Sequence, residues 1–301
     1  MAWLVHEAID MDFRADLRVI IEAELDALGY EPDPTLPLHK LTNLYFDALT
    51  RRIPPKPRQV INARDFTCPP AHAAGLAQLV KDIESGADLA PRLSRSLDDF
   101  EFIDGMLVEW GIYHFHLGTT PHPKRPGLIQ STGDLVYAIV SADTVYFLAV
   151  LPHKQWSNER LLQVIEENWP SMLKPYALPA GTSLETPSPS AADREMLRKA
   201  GINALTALPG GALIFPPGLG RTLGGKTSVR GSMRANRLLN FVDHAARQIA
   251  AGAVGQVDVA QVRLTKIDDL DRPTQITLDV AGNALAVRVS YEPADAPKPG
   301  A

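Results

Sequence analysis

Leu135-Val-Tyr-Ala-Ile-Val-Ser-Ala-Asp-Thr-Val-Tyr-Phe-Leu-Ala-Val-Leu-Pro-His153 holds two short runs rich in β-branched and aromatic residues, parted by Ser141-Ala142-Asp143. Runs of that length and composition around a polar turn predict a β-hairpin, Leu135–Val140 paired with Thr144–Leu151. Ile112–Leu117 has the same character and supplies a third strand. The predicted centre of the fold is therefore a small antiparallel sheet.

Working outward, the upstream pattern is helical. Phe13, Leu17, Ile20, Ile21, Leu25 and Leu28 recur at three-to-four spacing before Gly29, as do Leu38, Leu41, Leu44, Tyr45 and Leu49. Arg51–Arg58 contains three prolines that cannot continue a helix, and reads as an extended basic linker. Leu76, Leu79, Val80 and Ile83 mark a third helix ending at Gly86; Phe100, Ile103, Leu107 and Trp110 mark a fourth. Downstream, Ser157 starts a helix that Trp169-Pro170 ends, with Trp156 and Leu161 as a hydrophobic staple. Ser190 and Asp193 then fit a capping box, and Leu238, Val242, Ala245 and Ile249 line a longer helix. Val257–Ile267, Ile276–Val280 and Leu285–Tyr291 alternate as strands, the last two a hairpin around Ala281-Gly282-Asn283.

The expected fold is thus α+β, with a helical N-terminal part, a small antiparallel sheet with flanking helices and a C-terminal α/β segment ending in a β-hairpin. The expected divisions are a mainly helical region 1–110, a sheet-plus-helix region 111–174 packed with 71–110, a Pro-rich linker 175–190, a C-terminal region 191–292 and a disordered tail 293–301.

Composition narrows the function. The 301 residues are 45% hydrophobic and contain no apolar run long enough for a membrane span, so no membrane association is expected. One cysteine, Cys68, and a start without a basic, apolar leader predict a reducing cytoplasm. Thirty basic against thirty-five acidic residues exclude nucleic-acid binding by bulk charge. Local patches remain: Met196–Val242 has no Asp or Glu but carries Arg198, Lys199, Arg221, Lys226, Arg230, Arg234 and Arg237. Arg230, Arg234 and Arg237 have i, i+4, i+7 spacing and project together if a helix covers them, toward nucleic acid or toward acids elsewhere in the fold.

Gly220–Thr227 matches the letters of a phosphate-binding P-loop, but Pro216-Pro217-Gly218-Leu219 separates it from the apolar Ala212–Phe215, so the required strand-to-loop junction is missing. His114 and His116 lie two apart on one strand and share a face, and His153 ends the hairpin. Three imidazoles can bind zinc or do acid–base work; no Cys-X-X-Cys or His-Glu-X-X-His accompanies them, and neither a metal nor a cofactor is expected. Lys124 and Arg125 in the Pro121–Pro126 loop, with Lys154 and Trp156 after His153, supply cations and an aromatic near one end of the sheet. Such a set holds phosphates, stacks a base and shuttles a proton. Asp98, Asp99, Glu101, Asp104 and Glu109 read as the solvated face of the fourth helix.

With its preceding strand and helices, the hairpin ending in His153 resembles a RelE/ParE-type toxin core over residues 71–156. The resemblance implies two helices on a small antiparallel sheet, the messenger-RNA cleavage without metal of many such toxins, and a His- or Arg-containing turn at the hairpin's end, which His153 matches. Ala138 departs from the pattern, standing where that family often has a basic residue. The expected function is that of a nucleic-acid-acting cytoplasmic protein, a toxin-like, metal-independent endoribonuclease in which His153 or His116 moves protons. Lys124, Arg125 and Lys154 hold phosphate, Arg230, Arg234 and Arg237 extend the surface, and RNA is the favoured partner beside an inhibitory or partner protein. The alternative is a noncatalytic nucleic-acid-binding or protein-interaction scaffold, which Ala138 favours.

Overall fold

A computed structural model describes residues 10–182, 189–224, 227–252 and 261–291. The elements in chain order are α1 (Phe13–Ala27), α2 (Leu38–Thr50), β1 (Gln59–Asn62), α3 (Ala73–Ser85), α4 (Gly105–Trp110), β2 (Ile112–His116), β3 (Asp134–Val140), β4 (Thr144–Pro152), α5 (Arg160–Asn168), α6 (Ala191–Lys199), β5 (Thr206–Ala207), β6 (Leu213–Ile214), α7 (Val229–Ala250), β7 (Val262–Ile267), β8 (Gln275–Val280) and β9 (Asn283–Arg288). The fold is mixed α+β. The chain forms two compact units, residues 1–46 with 231–301, and residues 47–230. Those borders fall inside α2 and α7, whereas the Pro-rich stretch 175–190 lies within the second unit.

In the second unit the sheet order is β1-β4-β3-β2. The hairpin β3–β4 and the pair β2–β3 are antiparallel, and β1 joins β4 in parallel. Side chains alternate between two apolar layers. Phe115, Val136, Ala138, Val145 and Phe147 meet Leu79 and Ile83 of α3 on one face, while Ile112, Leu135, Tyr137 and Leu148 meet Trp110 and Leu161, Leu162 and Ile165 of α5 on the other. A bulge at Tyr137/Ala138 pairs these residues with Ala149 and Phe147, so Leu148 is the extra residue on β4. His114 and His116 share the Ile112 face, beyond the end of its apolar layer.

Helix α3 approaches the sheet closely because residue 75 has no side chain. A Cβ at Gly75 would lie 1.8 Å from the carbonyl oxygen of Leu117. Gly75→Ala is therefore expected to cost about 2–3 kcal/mol by overpacking. A urea-unfolding midpoint unchanged from wild type would show that the helix slides without penalty.

Three local readings are corrected. The fourth helix spans only Gly105–Trp110, because Asp104 accepts the N–H groups of Met106 and Leu107 and caps it there, leaving Phe100 and Ile103 outside. Helix α5 starts at Arg160 rather than Ser157; its N-cap residue Glu159 makes no capping bond, and Asn158 Oδ1 accepts the Arg160 N–H at 3.0 Å instead. Part of the expected linker is structured: Ala177 bridges Ile214, and the Leu178 N–H donates to the Leu213 carbonyl at 2.8 Å. Residues 183–188 of that linker, 293–301 of the tail, Val257–Ala260 of the expected strand and Gly225 and Lys226 of the P-loop pattern lie outside the described residues.

In the first unit, β7-β8-β9 form an antiparallel sheet. Its last hairpin turns at Ala281 and Gly282, both with positive φ (52° and 80°), the geometry of a two-residue primed turn. Helix α1 is tied to this sheet by buried Asp16, which accepts from Arg263 Nε at 2.7 Å and the Leu264 N–H at 2.8 Å. The α7 residues Ala235, Leu238, Val242, Ala245 and Ile249 are buried, as their spacing requires. No described helix is long and apolar enough to cross a membrane.

Candidate functional site

The C-terminal end of β2, the loop 118–133 and the turn after β4 enclose a cleft of about 630 Å³ in the second unit. Period-two geometry aims His114 and His116 at it, and β4 delivers His153. The imidazoles of His116 and His153 stack with ring centres 6.3 Å apart. Trp156 stands 4.8 Å from the His114 ring and 5.0 Å, edge-on, from that of His153. The sequence-predicted trio therefore converges, with Trp156 as its aromatic wall.

The three histidines differ chemically. His116 is buried, and its Nδ1 accepts the Thr132 backbone N–H at 3.2 Å. That bond places the neutral ring's proton on Nε2, so His116 offers a fixed donor. Burial and the neighbouring imidazoles push its pKa down to about 4. Burial also lowers the pKa of His114, against the pull of Asp104 Oδ2 at 3.7 Å, and its Nδ1 has no hydrogen-bond partner among the described residues. His153 is solvent-exposed, and partial desolvation followed by the charge of Lys154 lowers its pKa as well. Its backbone is anchored by an N–H bond to the Gly133 carbonyl at 2.7 Å.

Among the described residues the cleft is lined by five cationic side chains, Arg95, Arg125, Arg198, Lys199 and Arg221, against the carboxylates of Asp104 and Glu195. Glu195 is already paired with Lys199 at 2.9 Å. Arg198 is held by Glu109, the Trp156 carbonyl and Ser157 Oγ, yet its Nη2 is buried with no acceptor among the described residues. A buried guanidinium N–H without an acceptor favours an anionic ligand.

Of the expected phosphate-holding residues, Arg125 lines the cleft; Lys124 and Lys154 are exposed outside its lining. The Lys124 N–H donates to His122 Nδ1 at 3.1 Å. A helix, α7, does cover the triplet, but its members serve different places. Arg234 pairs with Asp271 at 2.6 Å and lies 4.5 Å from the Phe46 ring centre, and Arg237 donates to the Asp271 carbonyl at 3.3 Å. Arg230 belongs to the second unit. For Arg234 the acid-free window is answered by an acid distant in sequence, whereas Arg237 meets only that residue's backbone carbonyl.

Glu109 overturns the reading of a solvated acidic face. It is buried at 5% exposure and joins Arg194, itself 1% exposed, at 2.7 Å. The signal for it was present as Arg194 and Arg198 on α6, but nothing local connects them to Glu109. Among the described residues, no group of three His, Cys, Asp or Glu side chains is placed to hold a metal ion. Searches of family models, curated proteins and solved structures return no match for the chain.

Proposed function

We propose that the second unit binds RNA in the histidine cleft and cleaves it by attack of a ribose 2′-hydroxyl on the adjacent phosphorus. The observation that carries this reading is the stacked His116–His153 pair in a cleft where cations outnumber carboxylates. An RNA strand carries its own nucleophile, so an imidazole base and fixed positive charge are sufficient machinery.

In this scheme Arg125 and Arg198, whose buried Nη2 lacks an acceptor among the described residues, hold the phosphate, and His116 Nε2–H donates to a non-bridging oxygen. Neutral His153 takes the 2′-hydroxyl proton. The new P–O bond forms as the bond to the 5′-oxygen breaks, water reaching the open cleft protonates the departing oxygen, and the hydroxide left behind takes the proton back from His153. The products are a 2′,3′-cyclic phosphate and a 5′-hydroxyl. Arg234 and Arg237 are left out, because Asp271 already engages them.

The test is incubation of the purified chain in EDTA with end-labelled single-stranded RNA and with DNA of matched sequence. The expected result is RNA fragments ending in cyclic phosphate and intact DNA, which lacks the 2′-hydroxyl. Cleavage that EDTA abolishes overturns the metal-free step. Uncut RNA whose mobility shift weakens steeply with salt replaces the enzyme with a noncatalytic binder. RNA neither cut nor shifted overturns both readings.

A further inference from the structure

A second cavity, of about 300 Å³, opens in the same unit where β2 begins and β3 ends. Its wall is largely apolar: Leu107 and Trp110 of α4, Ile139 of β3, Ile165 of α5, and Met172 and Leu173 of the short turn that follows. Small-molecule sites have this size and character, with a few polar groups fixing orientation. Arg230 is such a group, and Trp110 in the wall carries a buried N–H beside it in the lining. Trp110 is 1% exposed, and its indole N–H has no acceptor among the described residues. Arg230 lines the cavity while its side chain remains exposed, and among the described residues it is the one charged side chain in the lining.

We infer that this cavity is a binding site for an apolar monocarboxylate. The hydrocarbon body replaces water against the aliphatic and aromatic wall. The carboxylate meets the Arg230 fork, whose two parallel N–H groups match it. Among the described residues the lining holds one cation and no carboxylate, which balances a monoanion; a phosphate monoester would bring nearly two charges. The length is also bounded, because about 300 Å³ suits a ligand of roughly ten to fifteen non-hydrogen atoms. The site is separate from the histidine cleft and does not depend on RNA cleavage. It does share a wall with it through Trp110, whose ring centre is 4.7 Å from the Arg198 guanidinium carbon. Arg198 lines the histidine cleft, so occupancy can be read through tryptophan fluorescence.

The test titrates the full chain with octanoate, octanol and octylammonium by calorimetry, with tryptophan emission as a second readout. Octanoate is expected to saturate one site per chain, and Arg230→Gln to weaken it about tenfold. Octanol should bind wild type and Arg230→Gln alike, and octylammonium more weakly than either. Met172→Trp, which fills the cavity, should abolish octanoate binding while Arg230→Gln retains the weakened site. Arg230→Gln changes an exposed side chain and so remains informative even if the filled variant fails to fold. Absence of saturable octanoate binding overturns the inference. So does octanoate binding that Arg230→Gln leaves unchanged, or octylammonium binding as tight as octanoate.

Discussion

Glu109→Ala is expected to destabilise the second unit by about 3–5 kcal/mol, the penalty for leaving a buried charge uncompensated. Glu109 Oε1 accepts from Arg194 Nη1 at 2.7 Å, and Oε2 accepts from Arg198 Nε. Both guanidinium groups also lie over Trp110, at 5.6 Å and 4.7 Å from its ring centre. Without Glu109, two cations remain in a low-dielectric site with Glu159 as the carboxylate left on Arg194. Glu159 is more exposed, at 30% for its side chain, and compensates less well. Combining Glu109→Leu with Arg194→Met removes both charges of the tightest pair and should cost well under the sum of the two single changes. Urea unfolding followed by tryptophan fluorescence measures all of these variants. A loss under 1 kcal/mol for Glu109→Ala would mean that water enters the site and solvates the arginines.

This network also marks the boundary of what could be read from the chain alone. The sheet strands β2, β3 and β4 were legible because β-branched runs and a polar turn are local signals. The Ser190–Asp193 capping box was legible for the same reason, and both of its bonds form. The two-residue spacing of His114 and His116 fixed their common face, and the hairpin length brought His153 beside them. Glu109 was misread because its partners lie 85 and 89 residues away, and one and a half turns of helix give too little periodicity to show which face is buried. Strand β1 was missed because Gln59–Asn62 follows a proline-rich stretch, and a four-residue parallel edge strand is specified by its neighbour rather than by its own pattern. The charge of Arg234 looked available for nucleic acid because Asp271 stands 37 positions on, at a separation no pattern links. Long-range pairing is thus what the sequence withheld, in the fold and in the site alike.

His153→Ala is expected to lower RNA cleavage by about 10²–10⁴-fold, the usual contribution of a positioned general base. The pH profile separates this role from a structural one. A base must be neutral to accept a proton, and partial desolvation with the charge of Lys154 places the His153 pKa below the ordinary imidazole value. Activity should therefore rise with pH below about 6.5 and be flat through neutral pH. His116 should not shape that limb, because Thr132 occupies its Nδ1 and its pKa lies near 4. His116→Gln keeps an N–H donor and should lose only about tenfold in rate while preserving the wild-type limb; His116→Ala removes the donor and should lose more. His153→Ala should erase the limb together with most of the rate. If His153→Ala keeps the limb, or His116→Gln removes it, the two roles are exchanged: the Thr132 bond then breaks when RNA enters the cleft, freeing Nδ1 to carry the proton and letting Nε2 act as the base.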